Sequence, residues 1–143
     1  MEAAFRRTRG VRSTLVGYTG GSTENPDYKA VCTGRTGHAE AVEVEFDPAE
    51  ISYGELLEVF WDEHNPTQRN RQGFDIGTQY RSAIFTHTPE QEVAASASKA
   101  KVQGRYRKGV VTEIEPASKF YPAEDYHQRY LEKRGMAVCA IPQ

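Results

Sequence analysis

Residues 32–40 read Cys32-Thr33-Gly34-Arg35-Thr36-Gly37-His38-Ala39-Glu40 and run straight into Ala41-Val42-Glu43-Val44-Glu45-Phe46. The second half alternates apolar and polar residues at period two, which predicts a strand. Gly34 and Gly37 admit backbone conformations that other residues avoid, so the first half is a shaped loop feeding that strand. Glu40 falls where loop becomes strand, a position from which a rigid scaffold can present a functional carboxylate. The same letters also read as a glycine turn capped by a solvated glutamate.

Working outward, Glu2 to Arg7 predicts a short helix with Phe5 facing inward, ended by Gly10. Val11 to Tyr18 predicts a strand, and Ser22 to Lys29, with Asn25-Pro26, a loop. After the break at Asp47-Pro48, Ser52 and Glu55 form a capping box. Leu56, Leu57, Phe60 and Trp61 then fall on one helix face, and His64-Asn65-Pro66 stops that helix. Thr67 to Gly77 is a long polar loop, a length that is usually functional in a compact domain. Tyr80 to Phe85 predicts a strand. Thr88 caps a helix that has Pro89 in its first turn and runs to about Val102. Val110 to Ile114 predicts a further strand, and Ala123 to Lys133 a last helix.

This order is helix, strand, strand, helix, strand, then helix, strand, helix. One strand placed ahead of Met1 turns the first part into β-α-β-β-α-β, the split ferredoxin-like plait. The expected class is therefore α+β: a ferredoxin-like split β-α-β plait with an extra helix-strand-helix, its first strand missing from this chain. Without that strand an exposed sheet edge and marginal stability are expected.

With 143 residues the chain is one domain, residues 1–143. A net charge of −2 gives no electrostatic case for nucleic acid or an anionic membrane as partner. No apolar run approaches the roughly 20 residues of a membrane helix, and no secretory signal pattern opens the chain. Two cysteines, Cys32 and Cys139, are too few for a disulfide scaffold and fit a reducing, cytoplasmic compartment. His38 and His127 lack Cys or carboxylate neighbours at ligand spacing, so a metal reading is weak and no cofactor is expected. Arg69 and Arg71, near Gln72, read either as a solvated loop or as contacts to a peptide.

Several stretches now combine: Gly17-Tyr-Thr-Gly-Gly21, Asn25-Pro-Asp-Tyr28, Val31 to Glu40, Phe60-Trp61 with His64-Asn-Pro66, Asn70-Arg-Gln-Gly73, Asp75 with Gly77-Thr-Gln-Tyr-Arg-Ser-Ala-Ile84, and Ala123-Glu-Asp-Tyr-His-Gln128. Long, in order and suitably spaced, they resemble the A-type peptide methionine sulfoxide reductases, from Glu2 to about Cys139. The resemblance implies reduction of the S epimer of methionine sulfoxide, free or in proteins, by a monomer that thioredoxin recharges. It makes Glu40 the carboxylic acid that protonates the sulfoxide oxygen. Tyr28 and Tyr80 would hydrogen-bond that oxygen, and Asp75 would sit nearby, orienting water or the thiol exchange. Cys139 would be the resolving thiol that turns a sulfenic acid into a disulfide. Cys32 matches a family position without a catalytic role and reads as a small buried hydrophobe.

The chain departs from the family in one respect. The family signature Gly-Cys-Phe-Trp-Gly runs directly into the helix that here begins at Met1, so its cysteine would lie four residues ahead of Met1. Two expectations follow. In the first, the reading frame is truncated, as happens when a selenocysteine codon is taken for a stop, and the full enzyme attacks with a thiolate or selenolate. In the second, the chain is a non-catalytic binder of methionine-sulfoxide peptides or of thioredoxin. A third reading recruits Cys32 as nucleophile.

Overall fold

The computed structural model describes residues 1–123. The expected last helix beyond Ala123, together with His127 and Cys139, lies outside the described residues. In chain order the elements are α1 (Glu2–Arg7), β1 (Val11–Thr19), α2 (Tyr28–Cys32), β2 (Ala39–Phe46), α3 (Tyr53–Asp62), β3 (Arg71–Gln72), β4 (Asp75–Ile76), β5 (Ala83–Thr86), α4 (Pro89–Gln103), β6 (Glu113–Pro116) and β7 (Tyr121–Pro122). A 3-10 turn, Thr78–Tyr80, precedes β5.

The antiparallel pair β1–β2 is the backbone of the molecule. It runs from Val11 opposite Phe46, through a register shift between Val11 and Ser13, to Thr19 opposite Ala39, and β7 adds to the other side of β1. A strand sends alternate side chains to opposite faces. On β2 the even positions Val42, Val44 and Phe46 therefore share one face, where they pack with Phe5 of α1 and with Ile51 and Leu56. Glu40 is next in that row, while Glu43 and Glu45 are exposed on the opposite face. Buried Glu2 ties α1 to the sheet by accepting from the Thr14 hydroxyl at 2.9 Å and pairing with Arg6 at 3.4 Å.

The second layer is β5-α4-β6. β5 and β6 are parallel, Ala83 opposite Glu113 through Thr86 opposite Pro116, and α4 is the crossover. Ser52 caps α3 by accepting from the Glu55 amide, and the Glu55 carboxylate accepts from the Ser52 amide, so the expected capping box is present. Thr88 caps α4 by accepting from the Gln91 amide. Trp61 on α3 is 2 % exposed, donates its indole N–H to Ser98 on α4 at 2.7 Å, and packs with Leu57, Ile84, Ala95, Val102 and Val110.

Several expectations are corrected. Tyr80 is in the 3-10 turn and not in the strand, which starts only at Ala83: the Arg81 amide closes the turn onto the Thr78 carbonyl, and the chain first meets β6 at the Ser82 carbonyl, which accepts from the Glu113 amide. The strand expected over Val110 to Ile114 is Glu113–Pro116. Tyr28 and Lys29 belong to a helix of five residues, capped by the Asp27 side chain, and not to a loop. The polar loop from Thr67 contains a small hairpin, β3–β4. The architecture is mixed α and β; among the described residues the three-stranded and the β5–β6 sheets are separate, and β2 and β5 are edges.

Candidate active site

Between the facing edges of β2 and β5 lies a cavity of about 400 Å³. Its walls are β2 from Ala39 to Val44, β5 from Ala83 to Phe85, and Leu56, Leu57 and Phe60 of α3; Met1 at the start of α1, Glu40 and Tyr80 also line it. The N-terminal end of the first helix thus faces the same space as two of the expected site residues.

Glu40 is held here by the strand register that places it opposite Tyr18, at the end of the apolar row Val42-Val44-Phe46. Half-buried there, its carboxyl is pushed up to about 7, first by loss of solvent and then by the charge of Asp75. Asp75 is presented by β4, half-buried and close enough to act on both Glu40 and Tyr80. The Tyr80 phenol is pushed up to about 12, by burial first and then by Glu40, Cys32 and Asp75. Tyr28 is raised too, chiefly because its hydroxyl donates to the Cys32 sulfur and then by the charge on that sulfur; burial, Tyr80 and Glu40 add to it. Glu40 thus lies within electrostatic reach of Asp75, Tyr28 and Tyr80, and Tyr80 within reach of Asp75 and Tyr28. Both phenols stay protonated near neutrality, so each has a proton to donate.

Two residues beside them are ones the sequence reading left out or misjudged. Gln79 is 4 % exposed and donates its side-chain amide to the Tyr80 hydroxyl, leaving that hydroxyl's own proton for another acceptor. The T-Q-Y triplet carries no periodic signal that separates a buried glutamine from a surface one. Cys32 corrects the expectation of a buried hydrophobe: it is exposed, because only Val31 of the short α2 turns into the core. The i, i+4 spacing of Tyr28 and Cys32 on one helix is the sequence signal for their contact. Cys32 is not part of the cavity wall.

His38 has a structural job. It is 2 % exposed, its Nδ1 accepts from the Gly21 amide at 3.0 Å, and its Nε2 meets the Thr23 carbonyl at 2.6 Å, so Nε2 carries the proton. It locks the Gly20-Gly21 turn against the loop that leads to Glu40. Gly21 is needed there, since a Cβ would collide with the backbone of Thr36, Gly37 and His38. On the far side of the cavity, His64 takes part in a second polar chain. It meets the Phe60 carbonyl and Ser82 hydroxyl, each at 2.7 Å, and Ser82 in turn meets Thr112 at 2.7 Å. Burial lowers the His64 pKa.

The raised Glu40 carboxyl has a consequence for stability. The folded state holds that proton more tightly than the unfolded chain, from the ordinary 4.5 up to about 7. Its favourable contribution is full below about 4.5 and is lost as pH rises through about 7. Glu40→Gln is neutral at every pH. The variant is expected to be more stable than the parent by about 2–3 kcal/mol at pH 8 and about equal to it at pH 4. Paired melting curves at the two pH values check this, and a difference that does not change with pH contradicts it.

The family described as peptide methionine sulfoxide reductase matches residues 1–143. Among similar curated proteins is the peptide methionine sulfoxide reductase MsrA of Methanoculleus marisnigri, 59% identical over 141 residues that cover 97% of this chain and 86% of that protein. Among solved structures, methionine sulfoxide reductase A of Corynebacterium diphtheriae is 42% identical with a TM-score of 0.85, covering 96% of this chain and 71% of that one. Mxr1 of Saccharomyces cerevisiae in reduced form is 36% identical with a TM-score of 0.88, covering 99% and 82%. The same yeast protein in complex with Trx2 shares the fold at 23% identity and a TM-score of 0.63, covering 99% and 77%. By family match and by identity over nearly its whole length, this chain belongs to the peptide methionine sulfoxide reductase family.

Proposed function

We propose that the site reduces the S epimer of methionine sulfoxide, free or within polypeptides, to methionine, and so repairs oxidised proteins. The observation that carries this is Glu40: a half-buried carboxyl with a pKa of about 7, flanked by two phenols that hold their protons. Such a group is poised to deliver a proton near neutral pH.

A thiolate or selenolate at the N-terminal end of α1 attacks the sulfoxide sulfur. Glu40 protonates the oxygen while Tyr28 and Tyr80 donate hydrogen bonds to it, which spreads the charge that develops there. The protonated oxygen then moves from the substrate sulfur to the attacking atom, as the sulfur–oxygen bond and the newly formed bond to the substrate sulfur both break; methionine leaves, the attacking atom becomes a sulfenic or selenenic acid, and Glu40 is left ionised. Burial, and then the charge of Asp75, keep the Glu40 proton affinity high. A second thiol, assigned to Cys139, condenses with that acid, releasing water and forming a disulfide that a dithiol of the thioredoxin type reduces. The support for that reductant is the family and the yeast protein's complex with Trx2.

The plait belongs to the same proposal. We place one extended strand in the cavity between the β2 and β5 edges, where it would join the two sheets and lead into α1 at Met1. In this arrangement the strand ends in Gly-Cys-Phe-Trp-Gly and puts its cysteine beside Glu40.

The second reading, a binder without turnover, rests on the position of Cys32: the thiol of the described residues lies outside the cavity wall. One assay separates the readings. The 143-residue chain and a version extended by a strand ending in Gly-Cys-Phe-Trp-Gly are each given a methionine (S)-sulfoxide peptide and dithiothreitol. Turnover by the extended chain alone is expected. A folded extended chain that turns nothing over leaves the binder; turnover by the short chain that vanishes in Cys32→Ser assigns the attack to Cys32.

A further inference from the structure

We infer that Gln79 is a positioning residue for the reduction: its buried carboxamide holds the Tyr80 hydroxyl by the oxygen, so that the phenol proton is left facing the sulfoxide. This rests on the proposed reading of the site and adds to it a residue outside the cavity wall.

The 3-10 turn sets up the contact. The Tyr80 amide donates to the Gly77 carbonyl at 3.0 Å, and the Arg81 amide to the Thr78 carbonyl at 3.2 Å. With three residues per turn, successive side chains leave in well-separated directions. Thr78 is accordingly exposed, Gln79 is buried, and Tyr80 is half-buried on the cavity. The Gln79 carboxamide folds back over Gly77, where a Cβ would collide with it; Gly77 has φ +146. On its other side is the loop that leads to Glu40, since a Cβ on Gly34 would lie 3.9 Å from Gln79 Oε1.

Folding alone does not account for the way this carboxamide is turned. Its N–H donates to the Tyr80 hydroxyl. Its Oε1 is buried and has no hydrogen-bond partner among the described residues. A buried acceptor without a donor is destabilising. Turned end for end, the group would accept the Tyr80 proton and satisfy its oxygen, but it would take the proton that the reaction uses. The orientation found leaves the carbonyl unpaired and the phenol proton free.

An N–H on the phenol oxygen has two effects. It restricts the hydroxyl rotor, so the proton keeps one direction. It also polarises the O–H, because hydrogen bonds in a chain strengthen one another. The same contact pulls the Tyr80 pKa down, against burial first and then Glu40, Cys32 and Asp75, which push it up. A donor fixed in this way meets the charge on the leaving oxygen without having to reorient. Both effects act through Tyr80, and neither supplies the proton that Glu40 delivers.

The test uses the chain extended with the signature cysteine, with Gln79→Met, Tyr80→Phe and the two combined. Turnover of a methionine (S)-sulfoxide peptide with dithiothreitol is followed across pH, and melting by circular dichroism. Gln79→Met should lower kcat roughly tenfold with KM within about twofold. It should keep the loss of activity at about pH 7 that Glu40 sets. In Tyr80→Phe, which lowers kcat itself, the same substitution should change nothing further. Because the carbonyl it removes is unpaired, Gln79→Met should melt no lower than the parent. A full kcat in Gln79→Met, or a Tyr80→Phe chain as active as the parent, overturns the inference. So does an equal loss in the Tyr80→Phe background, a lower melting temperature or a failure to fold, each of which makes Gln79 structural. Loss of the pH limb overturns it as well, by assigning Gln79 to Glu40. If the extended parent turns nothing over, the reading of the site fails and the inference with it, before any variant is compared.

Discussion

Replacing Glu40 by Gln in the chain extended with the signature cysteine is expected to cut turnover of methionine (S)-sulfoxide by roughly 10²–10⁴-fold, the usual worth of a positioned general acid. The amide keeps the size and can still offer a hydrogen bond, but it cannot give up a proton to an oxygen that must leave. The parent should lose activity as pH rises through about 7, because the protonated carboxyl is the competent form and its pKa is held there by burial and then by Asp75. In Glu40→Gln that limb of the pH profile should vanish along with most of the rate. A variant within a few-fold of the parent, or one that keeps the same limb, would remove Glu40 from the chemistry and transfer the proton to one of the two phenols.

Trp61→Ala should have the largest effect on folding. The indole is 2 % exposed, lies edge-on to Phe60 with ring centres 4.9 Å apart, stacks near His64 at 6.2 Å and 17°, and donates to Ser98. With Leu57 it joins α3 to both α4 and β5. Truncation of a buried Trp costs about 3–5 kcal/mol, a large part of the 5–15 kcal/mol that holds a typical domain together. A drop in melting temperature of roughly 10–20 °C by circular dichroism is expected. Trp61→Phe should recover most of it, losing only the hydrogen bond and the second ring. A loss below about 1 kcal/mol in Trp61→Ala would mean that the two layers are joined elsewhere.

Much of this was legible in the letters, for local reasons. Ser52 and Glu55 announce their helix because a capping box needs only four residues, and Val42-Val44-Phe46 announces its strand because one buried face imposes period two. Glu40 could be placed at the strand's start for the same reason. Tyr80 could not be placed: whether T-Q-Y-R-S continues a strand or makes a 3-10 turn is decided by where the Ser82 carbonyl finds the Glu113 amide, some 30 residues away in sequence. The short α2 was hidden because its cap, Asp27, follows Asn25-Pro26, which reads as loop. Cys32 was misjudged because the preference of cysteine for the interior is a property of the residue type. Its exposure here follows from the turn of a five-residue helix that had not been recognised.

The outward face of β2 has a last consequence. An unpaired sheet edge invites a second molecule to zip onto it. Along this edge Glu43 and Glu45 are exposed, and Glu45 already accepts from Ser13 at 3.3 Å on the neighbouring strand. Until the strand proposed between β2 and β5 covers this edge, two copies meeting β2 against β2 would crowd four carboxylates into one ladder, so like-charge repulsion guards it against self-association.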